Sequence, residues 1–284
     1  MTDDLLLNAK ELSDLINDKA VLVFDCRFDL FHRGRGYNSW LSAHIPGAVY
    51  TNLDKNLAGR VTASSGRHPL PSPRSFAAFL ARSGWLPHKH VVAYDAHGGV
   101  FAARLWWLMK YFGLGNTSIL DGGIGAWMTS GFTMESGEVR QTRQALPVLS
   151  PNHEMMLTTH AVMSGLDKNI MQLVDARSAT RFDGQNEPID PVAGHIPGAI
   201  NHPTDYNLQN GTYFKSPAEL KSGFRSLVKK TDSSDIVHMC GSGVTACQNQ
   251  FSMELAGLKD SRVYVGSWSE WIRDSIRPIL QGVR

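Results

Sequence analysis

The chain contains one sequence pattern twice, and the distance between the two copies limits the folds that it can adopt. Residues 23–27 (VFDCR) match residues 173–177 (LVDAR), and residues 43–49 (AHIPGAV) match residues 194–200 (GHIPGAI). Further matching pairs are 91–95 with 236–240 and 122–127 with 266–271. This spacing is far longer than the roughly 20 to 50 residues of a solenoid repeat, so it predicts two whole domains of one fold in tandem. Features that both copies keep are expected to serve the fold, and features of one copy alone are candidates for function.

Each copy alternates short runs of β-branched residues with amphipathic stretches, which is typical of an α/β fold. We predict tandem domains over residues 1–136 and 153–284, each an open parallel β-sheet flanked by helices. Residues 137–152 carry glycine and proline among polar residues and are predicted to form the linker. The predicted strands are Val21–Asp25, Val91–Tyr94, Ser118–Leu120, Met171–Asp175, Asp235–Met239 and Arg262–Val265. Predicted helix starts, each with a side-chain cap, are Asn8 with Glu11 and Ser216 with Glu219.

The composition is that of a globular protein, with 42% apolar and 19% charged residues in a chain of 284. The net charge of +2 is small and the basic residues are scattered, so neither nucleic acid nor a membrane is a predicted partner. No apolar run reaches the ~18 residues of a membrane span, and the N-terminus lacks the pattern of a signal peptide. Three cysteines are too few for a disulfide framework. We therefore predict a cytoplasmic protein.

Cys240 distinguishes the two copies most clearly, because the first copy has Asp95 in its place. Cys240 ends a predicted strand, and the loop that follows it turns into a predicted helix through two glycines. Such a loop aims successive backbone N–H groups at one point beside a helix N-terminus, where they stabilise an anion. The loop is expected to favour the thiolate of Cys240, which is the nucleophilic form. The alternative is an inert buried cysteine, and its replacement by Asp95 in the other copy favours the functional interpretation.

The same loop separates two classes of enzyme that use such an anion cradle. Phosphatases and arsenate reductases of the Cys-x5-Arg type require a guanidinium six residues after the cysteine. This chain has Ala246 at that position, which argues against oxyanion chemistry of that kind.

The sequence motifs closely resemble the two-domain rhodanese superfamily over nearly the whole chain. The resemblance rests on Cys-Gly-Ser-Gly-Val-Thr at 240–245, on two His-Ile-Pro-Gly turns and on Gly-Ser-Trp-Ser-Glu-Trp at 266–271. The loop looks like that of 3-mercaptopyruvate sulfurtransferases, whereas thiosulfate-preferring relatives typically carry cations there. The resemblance implies a sulfurtransferase in which Cys240 carries sulfur as a persulfide, with no metal and no cofactor. The implied partners are a small-molecule sulfur donor and a cyanide or thiol acceptor, with a thioredoxin-like reductant as a further candidate.

Around the sulfur, the resemblance implies backbone N–H groups from the residues that follow the cysteine. These are Gly241, Ser242, Gly243, Val244 and Thr245. For Thr245 the alternative is that it only caps the next helix.

Arg181 is the predicted ligand of the substrate carboxylate. It matches an active-site arginine of the family, and the first copy has Phe31 in its place. A second arginine is expected nine residues later, but this chain has Asp190 in that region. Arg74 or Arg104, both from the first domain, could supply the missing cation.

The first copy carries an insertion that the second copy lacks. The stretch from Gly47 to Pro73 is seven residues longer than the matching stretch from Gly198 to Pro217. It contains Asp54 and His68, which match an Asp and a His that the family places near the loop serine, here Ser242. The resemblance implies an Asp54–His68–Ser242 relay that protonates the enolate of pyruvate as sulfur leaves. The alternative is a solvated histidine and a helix-capping aspartate.

Other conspicuous residues are predicted to be structural, because both copies have them or because their spacing indicates a core. They are Asp25, Arg27, His44, Asp175, Arg177 and His195, and the apolar helix face of Phe101, Trp106, Trp107 and Met109. Cys26 is predicted to fill the end of a strand, and Cys247 to face the core. Trp268 stands where the first copy has Ile124, and it either lines the pocket or packs in the core.

Three functions stay open on the sequence alone. The predicted function is transfer of sulfane sulfur from 3-mercaptopyruvate, because neutral Gly241 and Ser242 suit a monoanionic 2-oxo acid better than the thiosulfate dianion. The alternatives are a thiosulfate sulfurtransferase, and a persulfide-relay module that receives sulfur from a partner protein.

Overall fold

The computed structural model describes residues 5–17, 20–168, 170–228 and 232–282. The chain divides into two compact units, and neither is a single continuous stretch. The first unit comprises Met1–Gly59, Pro71–Asn152 and Asn210–Phe214. The second unit comprises Arg60–Leu70, His153–Gln209 and Lys215–Arg284.

The first unit is built on a five-stranded parallel sheet of strand order β1-β5-β4-β2-β3. The strands are β1 (Leu6–Leu7), β2 (Val21–Asp25), β3 (Val49–Tyr50), β4 (His90–Tyr94) and β5 (Thr117–Leu120). The helices are α1 (Ala9–Asn17), α2 (Arg35–Ser42), α3 (Leu53–Asn56), α4 (Pro73–Arg82), α5 (Val100–Tyr111) and α6 (Gly123–Thr129).

The second unit contains a sheet of the same size and direction, with strand order β6-β12-β11-β7-β8. Its strands are β6 (Met156–Leu157), β7 (Gln172–Asp175), β8 (Ile200–Asn201), β11 (Ile236–Met239) and β12 (Arg262–Tyr264). Its helices are α7 (Thr159–Asp167), α8 (Ala179–Phe182), α9 (Pro217–Leu227), α10 (Thr245–Leu255) and α11 (Ser267–Trp271). Short strands β9 (Leu208–Gln209) and β10 (Tyr213–Phe214) lie outside both sheets, and 3-10 turns occupy His153–Met155, Thr204–Asn207 and Ser233–Asp235.

The prediction of two α/β domains of one fold is confirmed, because the two sheets have the same strand order. Each predicted strand agrees with an observed one to within one residue at either end. The sequence pattern missed the strands that are two residues long and too short to show a periodicity, which are β1, β3, β6, β8, β9 and β10. Both predicted capping boxes form: Glu11 N–H donates to Asn8 Oδ1 at 3.0 Å, and Ser216 and Glu219 cap each other.

The units depart from the domain boundaries predicted from the sequence. Residues 137–152 contain no helix or strand, but they belong to the first unit, where Gln144 N–H donates to Ala81 O at 2.9 Å. Residues 60–70 come from the first sequence copy and pack in the second unit. Residues 210–214 make the opposite exchange. A continuous stretch of sequence therefore does not always lie within one compact unit.

Each unit has its own apolar core. In the first, Val23, Val92 and Trp127 are buried together, and in the second, Leu173, Val237 and Trp271 are. On α5, Trp106, Trp107 and Met109 are buried as predicted, whereas Phe101 is half-buried. Within the described residues, no helix combines the length and apolarity needed to cross a membrane.

The charged and imidazole groups shared by both copies make the same contacts in each unit. Arg27 Nη2 lies 2.6 Å from Asp25 Oδ2 and donates to Ala43 O, and Arg177 Nη2 lies 2.7 Å from Asp175 Oδ2 and donates to Gly194 O. The two histidines likewise bond main-chain oxygens, with His44 Nδ1 at 2.7 Å from Trp40 O and His195 Nδ1 at 2.8 Å from Phe182 O. These groups tie the end of a strand to the turn that follows it, as expected of structural residues.

Candidate active site

Cys240 lies directly after β11, at the carboxyl edge of the second sheet, where loops of parallel α/β sheets form binding sites. Its side chain is buried, with 2% of the residue exposed. The backbone N–H of Gly243 donates to Cys240 Sγ at 3.1 Å. The loop therefore turns at least one main-chain donor toward the sulfur, which is the arrangement that stabilises a thiolate or persulfide anion.

Gly243 allows the loop to make this turn. Its φ of +76° is in the left-handed region, which side chains rarely adopt, and a Cβ atom there would collide with Val265 O. Val244 follows at the N-cap of α10 without a side-chain cap, and Thr245 is the first residue of that helix. Thr245 is thus inside α10 and does not occupy its cap position.

Ser242 and His68 are in hydrogen-bond contact. Ser242 Oγ and His68 Nδ1 lie 2.7 Å apart, and both residues are buried. His68 reaches the loop because residues 60–70 belong to the second unit. The predicted pairing of the histidine with the loop serine is therefore present in the geometry. A buried hydroxyl–imidazole pair beside a nucleophilic sulfur can carry a proton to or from a reacting molecule.

Asp54, the third residue of the predicted relay, lies in α3 of the first unit. Its side chain is 29% exposed, and Arg33 Nε is 3.6 Å from its Oδ2. It lines a cavity of about 580 Å³ together with Tyr37, Tyr50 and Lys55. The step from Asp54 to His68 stays a prediction.

Two guanidinium groups face the cysteine loop. A Cβ atom placed on Gly241 would lie 3.1 Å from Arg67 Nη2 and 3.3 Å from Arg181 Nη2. Between them lies Asp190, whose Oδ1 bonds Arg67 Nη1 and whose Oδ2 accepts from Arg181 Nη2 at 3.1 Å. The arginine side chains are 23% and 15% exposed, whereas that of Asp190 is 3% exposed. Both cations are therefore accessible from solvent while the carboxylate beneath them is not.

Glu187 fixes Arg181 from the other side. Arg181 Nε donates to both oxygens of Glu187, at 3.1 and 2.9 Å. Burial alone would raise the pKa of Glu187, but hydrogen bonds from Arg181 and from the backbone of Asp190 and Ile189 outweigh burial and lower that pKa. Glu187 is thus held as a carboxylate that orients the guanidinium.

Sequence reasoning missed Arg67. It named Arg74 or Arg104 as residues that could substitute for the absent second arginine, and that role stays a prediction for both. Arg74 is exposed on α4, and Arg104 is fully buried in α5, where its Nε donates to Leu57 O. The sequence did contain a signal for Arg67. It lies next to His68, and its positive charge matches the negative charge of Asp190, so the two can form an ion pair. Arg67 Nε is buried and has no hydrogen-bond partner within the described part of the chain, so it retains a donor.

In the first unit, the loop that corresponds to the cysteine loop is filled by its own side chain. The carboxylate of Asp95 accepts from the backbone N–H groups of His97, Gly99, Phe101 and Ala102 at 2.7 to 3.0 Å. Four donors converge on one buried anion. The loop geometry of this fold therefore holds an anion, and in the first unit a covalently attached carboxylate occupies the place.

The remaining candidates are structural. Trp268 is fully buried, its Nε1 donates to Val192 O at 2.8 Å, and Arg177 stacks 4.8 Å from the centre of its ring. It packs in the core of the second unit. Cys247 is buried on α10 with Sγ 3.3 Å from Gly243 O, and Cys26 is buried at the end of β2. Burial, with Asp95 and Asp25 as further causes, raises the pKa of Cys26 and makes its thiol less reactive.

Among the described residues, no three histidine, cysteine or acidic side chains cluster as metal ligands. The site consists of a sulfur nucleophile, a hydroxyl–imidazole pair and two guanidiniums. Such a set can bind a small anion, attack it through sulfur and move one proton.

The rhodanese-like domain family matches residues 8–130 and 158–274, once in each sequence copy. A Pseudomonas aeruginosa protein named "Probable 3-mercaptopyruvate sulfurtransferase" is 39% identical over 99% of this chain and 100% of its own length. The rat thiosulfate sulfurtransferase is 34% identical over 81% of this chain and 77% of its own. The structure of 3-mercaptopyruvate sulfurtransferase from Leishmania major superposes with a TM-score of 0.82 at 29% identity, covering 95% of this chain and 75% of that one.

Proposed function

The chain belongs to the rhodanese-like family and is a sulfurtransferase, and we propose that it takes sulfur from 3-mercaptopyruvate through a persulfide on Cys240. The observation that carries the choice of donor is the 2.7 Å hydrogen bond between His68 and Ser242 beside the cysteine loop. Release of pyruvate requires a proton, whereas release of sulfite from thiosulfate does not. A proton-carrying pair at the loop therefore supports the 2-oxo acid.

The first half-reaction balances without an external oxidant. The Cys240 thiolate attacks the donor sulfur, the bond from sulfur to C3 breaks, and its electron pair forms the enolate of pyruvate. The thiol proton of the donor ends on C3, so the products are pyruvate and the Cys240 persulfide anion. In this proposal Ser242 hands the proton to C3, and His68 supplies and recovers it.

In the second half-reaction, an acceptor attacks the outer sulfur of the persulfide. Cyanide leaves as thiocyanate and restores the Cys240 thiolate, and a thiol acceptor gives a new persulfide in the same way. The Gly243 N–H is placed to stabilise the sulfur anion in both halves. A thioredoxin-like protein that regenerates the acceptor, and a cytoplasmic location, are part of the proposal; the three free cysteines support a reducing compartment.

For the substrate carboxylate we propose Arg67 and Arg181 as ligands. Both guanidiniums lie over Gly241, the loop residue next to Cys240, and both are already oriented by Asp190. A carboxylate that accepts from two pre-oriented guanidiniums loses little side-chain entropy on binding. Arg67 thus takes the place of the arginine that the resemblance predicted at the position of Asp190.

Thiosulfate is the second candidate donor, and the same arginines favour it. Two cations over the loop suit a dianion, and a thiosulfate sulfurtransferase is among the relatives. Steady-state transfer to cyanide, with both donors on one preparation at fixed ionic strength, separates the two. We expect the higher kcat/KM with 3-mercaptopyruvate. A higher value with thiosulfate would contradict the proposed donor, and turnover of neither would favour the persulfide-relay module.

Two sets of variants test the assigned roles. His68→Asn is expected to lower kcat with 3-mercaptopyruvate by about 10² to 10⁴ and to change thiosulfate turnover by only a few fold, because only the former needs the proton. Arg67→Ala and Arg181→Ala are each expected to raise the KM for 3-mercaptopyruvate about tenfold. The matched control is Arg225→Ala, at an exposed position on α9 of the same unit, which should leave KM unchanged.

A further inference from the structure

Residues 65–67, which precede His68, are held by their main chain against α11 and the turn after it. Gly66 N–H donates to Glu270 Oε2 at 3.3 Å, and Arg67 N–H donates to Ser269 Oγ at 2.9 Å. Arg273 Nε donates to Ser65 O at 3.2 Å. The position of the segment therefore depends on α11, in addition to the contact that His68 itself makes.

The start of α11 also holds the cysteine loop. Ser267 Oγ accepts from Cys240 N–H at 3.1 Å, and Trp268 N–H donates to Cys240 O at 3.0 Å. Ser269 N–H donates to Gly241 O at 2.8 Å. Ser269 thus bonds both parts of the site: its main chain bonds the cysteine loop, and its buried hydroxyl accepts from Arg67.

Residues 65–67 pack closely against the start of α11. A Cβ atom on Gly66 would lie 2.6 Å from Gly266 O and 3.0 Å from Ser269 Oγ, so no larger residue fits without displacement. The other oxygen of the Glu270 carboxylate is also held, because Oε1 accepts from Thr159 Oγ1. The contact surface for residues 65–67 is therefore rigid, and small changes at it move the segment.

We propose that Ser269 is a positioning residue whose hydroxyl sets the distance between His68 and Ser242 and aims Arg67 at Gly241. The inference rests on the proposed function. Ser269→Ala keeps the main-chain bond to Gly241 O and leaves the cysteine loop in place, but it removes the acceptor of the Arg67 N–H. A displaced His68 lowers kcat only for the donor whose release needs a proton, whereas a displaced Arg67 raises the KM of both donors. The variant therefore alters the two donors unequally.

The test compares Ser269→Ala with Ser252→Ala, a buried serine on α10 whose hydroxyl donates to Gln248 O at 2.9 Å. For Ser269→Ala we expect kcat with 3-mercaptopyruvate to fall at least about tenfold. The kcat with saturating thiosulfate and the rate of Cys240 alkylation by iodoacetamide should stay within about twofold, while KM rises for both donors. Ser252→Ala should change neither kcat nor KM with either donor. An equal loss of kcat with both donors, or no loss of kcat, overturns the proposal.

A second variant and a second measurement keep the inference testable. Gly66→Ala pushes the segment away from α11, because the added Cβ would meet Gly266 O, and should give the same loss of kcat restricted to 3-mercaptopyruvate. Hydrogen exchange of the backbone at residues 64–68 should quicken in Ser269→Ala and stay unchanged in Ser252→Ala. If the unmodified protein does not use 3-mercaptopyruvate, the proposed function fails, and unaltered exchange in Ser269→Ala independently refutes the positioning role.

Discussion

At the residue scale, position 190 shows that a site can keep two arginines even when one of them comes from a different place in the sequence. The resemblance predicts an arginine there, and the chain has an aspartate that binds Arg67 and Arg181. Replacing a cation by an anion would leave one arginine over Gly241, but the anion recruits a second from residues 60–70. Two guanidinium groups therefore lie over Gly241, and the second comes from a segment far away in sequence.

Cys240 is predicted to be the sulfur carrier, because Gly243 N–H points at its sulfur, whereas Cys247 Sγ donates to Gly243 O and burial raises the pKa of Cys26. Cys240→Ser should abolish turnover, whereas Cys26→Ser and Cys247→Ser should retain most of it. Mass spectrometry after donor treatment should find one added sulfur on the Cys240 peptide. Sulfur found mainly on the Cys247 peptide would overturn the assignment.

The double substitution Gly241→Arg with Ser242→Lys is expected to move donor preference toward thiosulfate for two reasons. It adds two cations to a loop that already faces Arg67 and Arg181, and it removes the hydroxyl that bonds His68. Each favourable contact to a desolvated anion contributes about 1 to 3 kcal/mol. The ratio of kcat/KM for the two donors measures the effect, and Gly241→Ala, which adds no charge, is the control. An unchanged ratio would contradict the prediction.

At the element scale, the strand–loop–helix turn is an anion-binding unit in both halves, with different anions. Asp95→Ala should lower the free energy of unfolding of the first unit by about 3 kcal/mol, because four backbone N–H groups lose a charged acceptor. Asp95→Asn retains one acceptor oxygen and should lose less. Urea unfolding, with hydrogen exchange at residues 97–102, provides the measurement. Equal stability of Asp95→Ala and the unmodified chain would contradict this account.

Strand β11 carries a buried histidine that makes the second unit sensitive to acid. Burial, with a smaller contribution from His202, lowers the pKa of His238 to about 3, whereas an unfolded histidine has a pKa of about 6.5. Between these values the unfolded chain binds a proton that the folded chain excludes, so the free energy of unfolding decreases as pH falls through this window. One such group contributes at most about 1.4 kcal/mol per pH unit.

His238→Leu is therefore expected to reduce the loss of stability between pH 6.5 and 5. Urea midpoints at the two pH values, compared with those of the unmodified chain, give the measurement. His160→Leu, at an exposed position on α7, is the matched control and should leave the pH dependence unchanged. Equal pH dependence in His238→Leu and the unmodified chain would show that the buried imidazole does not determine it.

At the scale of the whole molecule, the insertion of the first copy becomes part of the second unit. Residues 60–70 contribute Arg67 and His68 to the site around Cys240. A fragment of residues 153–284 retains the cysteine loop but lacks both side chains. We expect its kcat/KM with 3-mercaptopyruvate to be at least about 100-fold lower even when circular dichroism shows it folded. Full donor activity of the fragment would refute this view of the site.

The sequence by itself determined the two copies of the fold, the six described strands longer than two residues, Cys240 with its loop and the identity of Asp95. These follow from patterns that are local or that can be read by comparing the copies, such as β-branched runs and a cysteine before two glycines. It also pointed to His68 and Ser242 through the family resemblance. The two-residue edge strands could not be predicted from the sequence. Pairing with a neighbouring strand defines them, and two positions are too few to show a periodicity.

Only the tertiary structure shows which segments belong to the same compact unit and which charged side chains form ion pairs. Residues 60–70 pack against α11 through main-chain bonds to side chains about 200 positions later, which local sequence patterns do not encode. Arg67 is a suitable partner for Asp190 only once that packing has formed. The sequence likewise left two roles open for Trp268, and in the structure this side chain is fully buried. Long-range contacts of this kind depend on how elements pack, whereas the strand and loop patterns depend on neighbours along the chain.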